Sequence, residues 1–278
     1  MSPPPPLTPG QSLPSARGMS WKDTYRGQLS TAHGSARIRL DATGSARIQM
    51  QVGPMRRPCD ALAHNAALPL NLRYAGASHG RHLAADVWLD RSAFVSCVSE
   101  FRRGVRRAAT ASRAPRPTPV GEPTPYKKLF DDLARLDEKV DVVERMPEWE
   151  LGPRIRGGRI AVRVSPERGG LRLHRVVLRR SELGDVGEDP RSDAIADAAL
   201  RFNVRVRFVR LALHETGMAV EARLATRLAD VCRVLETARA IAVASTAVRP
   251  LLEILTYHED VARCYADIFH LSNGDAAP

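Results

Sequence analysis

Apolar and polar residues alternate with a period of two in four stretches of the chain, and two helical stripes follow them. Ala36, Ile38 and Leu40 alternate with arginines, 41–44 turns the chain at a glycine, and Ile48, Met50 and Val52 resume the alternation. A period of two puts every second side chain on one face of a strand, so the stretch predicts a β-hairpin. Ile160, Val162 and Val164, a turn over 165–170 and a return over 171–178 predict another. Further hairpins are expected from 68–74 with 82–89, and from 202–213 with 218–224. The last pair is rich in β-branched and aromatic residues that suit a pleated surface. Between the first and second hairpin of each region lies a stretch without clear periodicity, 54–65 and 180–197, expected to be loop-like.

Each second hairpin leads into a helix. Asp90 suits an N-cap, and Phe94, Val98, Phe101 and Val105 recur at helical spacing after it. Leu228, Val231, Leu235, Ala238 and Ala242 form a similar stripe, and Cys97 and Cys232 fall at matching places after the last strand. The order hairpin, insert, hairpin, helix therefore occurs twice, the signature of an internal repeat. Leu129, Leu133, Leu136, Val140 and Val143 predict a helix over 126–143 before the second copy. Leu251, Leu252, Leu255, Val261, Tyr265 and Ile268 predict a helical extension over 247–269, with Pro250 at its start. Only a short amphipathic candidate, 21–29, precedes the first copy.

Two proline-rich stretches divide the chain. The expected organisation is a disordered tail over 1–18, a basic α+β domain over 19–112, a semi-rigid linker over 113–125 and a second α+β domain with its helical extension over 126–272. The fold class is thus α+β, with two related domains of antiparallel β-hairpins packed against a helix, and an extra C-terminal helix. The 278 residues suffice for two cores, and apolar residues at 44% exclude wholesale disorder. No uninterrupted apolar run approaches a membrane span and no secretory leader is visible, so a cytoplasmic location is expected. Cys59, Cys97, Cys232 and Cys264 are widely spread and read as buried thiols of a reducing compartment.

Charge changes the picture more than composition does. The formal net charge is +11, and all of it lies in residues 1–120, which hold 17 basic against 6 acidic residues. A localised basic surface suits an acidic partner. Only four of the cations are lysines, however, and an arginine bias of this kind also follows from base composition. Arg102, Arg103, Arg106 and Arg107 fit the negative end of a helix dipole as well as they fit a ligand. Candidate polyanion contacts are Arg37, Arg39, Arg47, Arg56, Arg57, Arg102, Arg103, Arg106 and Arg107. Alternating arginines at Arg159, Arg163, Arg205 and Arg207 extend the expected basic sheet face, but aromatics, at 5%, are too few to interleave with them for base stacking.

Phosphate loops, nucleophile elbows and zinc-protease motifs are absent from the sequence. His79 and His82 with the distant Cys59 and His64 do not make a metal set, and the acidic clusters at 131–132 and 137–138 read as surface i,i+4 pairing. No catalytic residue, cofactor or metal is expected.

The stretch from Ala199 through Phe202, Val204, Val206, Phe208, Leu211, Leu213, Met218 and Val220 to Leu224, continuing into the 228–243 helix, resembles the C-terminal half of the type III secretion chaperone-like and YbjN-like family. The resemblance spans about 126–245 and rests on topology. It implies a small α+β domain that binds a partner polypeptide, without catalysis and often as a dimer; two copies in one chain imply a pseudo-dimer. The function expected is a non-enzymatic chaperone-like or adaptor protein. The alternative is a basic architectural module that binds nucleic acid non-specifically through residues 19–120. Candidate partner-binding residues are Leu70, Leu72, Tyr74, Val87, Leu89, Val206, Phe208, Leu211 and Val220.

Overall fold

The structure, a computed structural model, describes residues 16–22, 25–40, 45–51, 57–68, 72–76, 82–88, 91–110, 124–136, 140–145, 147–155, 158–184 and 190–269. The expected tail and linker lie largely outside these residues. The architecture is α+β, with two antiparallel sheets and six helices among the described residues.

The first sheet contains β1 (Met19–Trp21), β2 (Arg26–Thr31), β3 (Gly34–Leu40), β4 (Ser45–Gln51), β5 (Arg73–Ala75) and β6 (His82–Trp88). Helix α1 (Pro58–Ala67) joins β4 to β5, and α2 (Arg91–Thr110) follows β6. The strand order is β1-β2-β3-β4-β6-β5. After α3 (Lys127–Ala134), the second sheet contains β7 (Val140–Arg145), β8 (Glu148–Ile155), the short β9 (Gly158–Arg159), β10 (Val162–Glu167), β11 (Gly170–Arg179), β12 (Arg210–His214) and β13 (Gly217–Ala225). Helix α4 (Pro190–Arg205) joins β11 to β12, and α5 (Val231–Tyr257) and α6 (Glu259–Ile268) close the fold. Its order, β7-β8-β10-β11-β13-β12, repeats the first, with β9 attached to β8. The two halves are therefore one topology used twice.

Each sheet buries one face under its own helix. Ile38, Ile48, Leu83 and Ala85 meet Phe94, Val98 and Phe101 of α2 in the first half. In the second, Leu151, Val164, Leu173, Val220 and Ala222 lie in the core with Val234, Ala238, Ile241, Val248 and Leu252 of α5, which packs on β8, β10, β11 and β13. Alternation in the strands is the imprint of these one-sided sheets. By length and composition α5 is also sufficient to cross a bilayer, a property that counting uninterrupted apolar residues overlooks; 44% of its apolar window is buried in this fold.

Several expectations are corrected. The inserts at 54–65 and 180–197 hold most of α1 and the first half of α4. Both helices open on a proline, which has no N–H to lose there. Residues 194–200 of α4 are buried all round, so no polar stripe betrays the helix. Residues 202–205, expected as strand, are the last turn of α4, and β12 starts only at Arg210. Of the described residues in 68–74, Arg73 and Tyr74 are in a strand and Leu68 and Leu72 are not. The helical candidate 21–29 spans parts of β1 and β2. The helix expected over 126–143 ends at Ala134, with Val140 and Val143 in β7. Pro250 lies inside α5 rather than at the start of a new helix. Cys59 and Cys97 are buried, their thiols pushed up to about 12 by burial, whereas Cys232 and Cys264 are exposed.

Candidate functional site

The halves meet through α1, α4 and the edge strands β5 and β12. Two asparagines organise the join. Asn65 of α1 accepts from the Tyr74 N–H at 2.6 Å, and its amide donates to the carbonyls of Tyr74 (3.3 Å) and Leu211 (3.0 Å). Asn203 of α4 accepts from the Leu211 N–H at 2.7 Å and donates to the same two carbonyls, at 3.1 Å to Leu211 and 3.2 Å to Tyr74. Each side chain closes the open edge of its own sheet as a further strand would, and also reaches into the other half. An exposed edge is a template for unwanted pairing, and here both inner edges are covered.

Arginines complete the exchange. Arg47 of β4 donates to the carbonyls of Val204 (2.5 Å) and Val206 (2.7 Å) at the end of α4. Arg223 of β13 donates to those of Ala66 and Leu68, both at 2.7 Å, at the end of α1. The last carbonyls of a helix have no partner within it and carry its negative dipole end, so a cation from the opposite half is well placed. Arg73 donates to the carbonyls of Asn203 and Val206, and Arg210 to that of Leu72. The relation between the halves is that of a two-fold pseudo-dimer within one chain.

Arg73 and Arg210 are each fully buried beside a carboxylate. Asp86 lies 2.8 Å from Arg73 and 2.9 Å from Arg47, and it accepts from the Phe208 N–H. Phe208 has a positive φ of 58°, which turns the chain so that its amide faces Asp86. Glu221 is held by Arg210 (2.7 Å), Arg172 (2.8 Å) and His214 (2.9 Å). Burial opposes both charged carboxylates, but the neighbouring guanidinium groups outweigh it and hold Asp86 below, and Glu221 well below, the usual range. Arg210 is lowered to about 10 by burial, despite Glu221.

The face of each sheet away from α2 or α5 is polar and carries one charged row across the strands. In the first half Arg26, Arg39, Arg47 and Asp86 stand in register; in the second Glu150, Arg163, His174, Glu221 and Arg210 do. A groove of about 700 Å³ opens on the second half where β11 runs past the start of β10. Arg163, Arg175, Arg179 and Arg249 line it with Glu150 and Glu182. His174 also lines it, held at about 3 chiefly by burial and then by Arg172.

The expected site residues fall in different places. Leu72, Tyr74 and Leu211 are buried at or beside the join, and Val220 is in the core, so the partner that strands β5 and β12 meet is the other half of the chain. Val206 and Phe208 are half-buried at the same join. Leu70 and Leu89 lie outside the described residues, as does the side chain of Val87 in β6. Arg37 and Arg39 are exposed on the outer face of β3, with Arg47 beside them but engaged. Arg57 is exposed at the start of α1 and Arg106 on α2. Arg103 pairs with Glu100, and Arg102 donates to the carbonyls of Arg17 and Ser30. Arg56 and the Arg107 side chain are outside the described residues. Arg205 and Arg207, expected in a basic strand face, lie at the end of α4 and in the turn after it. Among the described residues no His, Cys, Asp or Glu cluster could hold a metal ion.

Sequence reasoning missed Asn65, Asn203, Arg73, Asp86, Arg210 and Glu221. An asparagine inside a helix and a charge inside a buried strand were the available signals. Compared with protein-family models, curated proteins and solved structures, the chain matches none.

Proposed function

We propose that the chain is a non-enzymatic, chaperone-like adaptor that binds a partner polypeptide. The observation that supports this best is the single-chain pseudo-dimer itself. The fold spends its buried polar residues on joining two copies of one sheet, which leaves broad polar outer faces and the outer edge strands β1 and β7 for a ligand. Main-chain pairing at such an edge gives affinity, and side chains on alternate positions give selectivity. Affinity capture from native lysate at low and high salt, with nuclease in parallel, tests it. A discrete polypeptide retained through both treatments, and cross-linked to residues outside the α1–α4 join, is the expected result. Loss of all partners under high salt or nuclease overturns it.

A second reading has its own support: Arg26, Arg39 and Arg47 stand side by side across three strands, with Arg37 on the same face. Such a row suits non-specific contact with phosphates through residues 19–120. It predicts nucleic-acid binding that weakens steeply with salt through counterion release, and salt-independent binding removes it.

A further inference from the structure

Strand β11 is longer than the neighbour that flanks it on one side. Its pairing with β10 runs from Gly170 to His174, but its pairing with β13 continues to Arg179. From Arg175 to Leu178 its backbone therefore has a strand on the β13 side only, among the described residues. A β-bulge between Val176 and Leu178 lies in this segment, as bulges do at open sheet edges and beside binding sites. The groove described above opens along this edge, and its volume falls within the roughly 300–1,000 Å³ of ligand sites.

The charges around it are unbalanced. Four guanidinium groups line the groove against two carboxylates, and both carboxylates have other ties. Glu182 accepts from the Arg179 N–H and the Tyr257 hydroxyl, and Glu150 leans toward Arg145 at 3.8 Å. Arg175 is half-buried, donates to the Ala161 carbonyl, and is disfavoured as a cation first by burial and then by Arg249. Arg249 is already held by Glu253 at 2.7 Å, so the partly buried Arg175 guanidinium, which lines the cleft beside it, is the cation that an added negative charge would serve best. Val176 adds an exposed apolar surface at the same edge.

We propose that this groove docks an extended acidic segment of a partner polypeptide, its backbone beside β11 at 175–178 and its carboxylates on Arg163, Arg175, Arg179 and Arg249. The proposal rests on the polypeptide-binding function above. An open backbone edge of about 14 Å suits four residues of strand. A nucleic-acid strand fits less well: no Phe, Tyr or Trp lines the groove for stacking, and Glu150 and Glu182 oppose a continuous phosphate chain.

The test is fluorescence anisotropy on the full chain with a labelled octapeptide alternating glutamate and valine. Unlabelled lysine–valine and serine–valine peptides and a single-stranded DNA serve as competitors. The acidic peptide is expected to bind at 0.15 M salt, and the Arg175→Gln/Arg249→Gln double variant to lose at least tenfold in affinity. Val176→Asp, at an exposed site that tolerates a polar group, brings a repelling carboxylate to the edge and is expected to lose as much. Arg263→Gln, at an exposed ion pair with Glu259 on α6 away from both surfaces, is expected to stay within twofold of the parent. Binding that survives both groove substitutions overturns the groove but leaves the adaptor function standing. No binding by the labelled acidic peptide overturns the groove and leaves the adaptor function to the lysate capture. Equal competition by the lysine–valine peptide overturns the acidic preference, and tighter competition by the DNA assigns the groove to a polyanion instead.

Discussion

Replacing Asn203 by alanine removes three hydrogen bonds, but the groups left behind do not suffer equally. The Leu211 N–H, which donates to Asn203 at 2.7 Å, is left as a buried orphan, a cost of about 1–3 kcal/mol. The carbonyls of Tyr74 and Leu211 each keep a donor, because the Asn65 amide also reaches both. Their loss is that of an ordinary bond, so the single substitution should cost roughly 2–4 kcal/mol in all. The Asn65→Ala change should cost a similar amount through the Tyr74 N–H. In the double variant the carbonyls of Tyr74 and Leu211 each lose both donors at once, and orphaning each costs more than the loss of one of its two bonds. The double should therefore be less stable than the sum of the singles by about 1–3 kcal/mol, a coupling of definite sign. Urea denaturation of the four proteins in the cycle measures it. Additive or sub-additive costs would show that the two amides do not share their acceptors, and would refute the pseudo-two-fold account of the join. An isosteric control sharpens the point: Asn203→Asp keeps the acceptor for Leu211 but turns a donor toward two carbonyls into a third acceptor. It should be worse than alanine.

Glu221→Gln leaves Arg210 buried without its charge partner and should cost about 3–5 kcal/mol, read as a shift in the urea midpoint. Because the folded carboxyl is held well below its unfolded value, its contribution is fully present above the unfolded carboxylate pKa, near 4.5, and is lost as pH falls through the folded one. The parent's stability should thus fall toward acid more steeply than that of the variant, and parallel pH profiles would count against the argument. Gly217→Ala should be strongly destabilising, since the residue has a φ of +133° and a Cβ there would run into the Leu178 carbonyl; an unchanged melting temperature would refute it. Of the four thiols, native alkylation followed by mass spectrometry should modify Cys232 and Cys264 quickly and Cys59 and Cys97 only on unfolding.

The parts of the fold legible in the sequence are those with one dry and one wet face. The strands around Ile38, Ile48, Val164 and Leu173 and the helix through Phe94, Val98 and Phe101 each present a polar side to solvent, and so show their periods. Helix α4 is enclosed by α1, α5, α6, β5 and β12, and its run of alanines offers no contrast between faces. The error at 202–208 has the same origin in reverse. Val204, Val206 and Phe208 are β-branched or aromatic residues at every second position, yet 204 belongs to a helix end and the other two to a turn held by Asp86 and Arg47. Tertiary bonds from a strand more than 100 residues away override the local preference. The candidate binding residues were chosen as apolar strand positions, a rule that selects the core, and Leu72, Tyr74, Leu211 and Val220 are indeed interior. The Asn65–Asn203 pair shows in the sequence only as a polar residue within each helix, because its meaning depends on which carbonyls the other half brings to it.

Comparing the two outer faces row by row gives the charge asymmetry of the sequence a structural address. Arg39 and Arg163 occupy equivalent places on β3 and β10, as do Asp86 and Glu221 on β6 and β13. The halves differ where β2 carries Arg26 and β8 carries Glu150, and where β4 carries Arg47 and β11 carries His174. Arg47 is fully engaged, on Asp86 and on the end of α4. In the second half the matching task, holding the end of α1, has passed to Arg223 on the adjacent strand. A cation at the His174 position is then not needed for the join, and burial keeps that imidazole neutral. The residues that hold the halves together have stayed equivalent in role, while those facing outward have not. A symmetric dimer of identical chains must offer a ligand two equal surfaces. This chain, by carrying both copies, has one basic face and one mixed-charge groove, so its two halves present unlike surfaces.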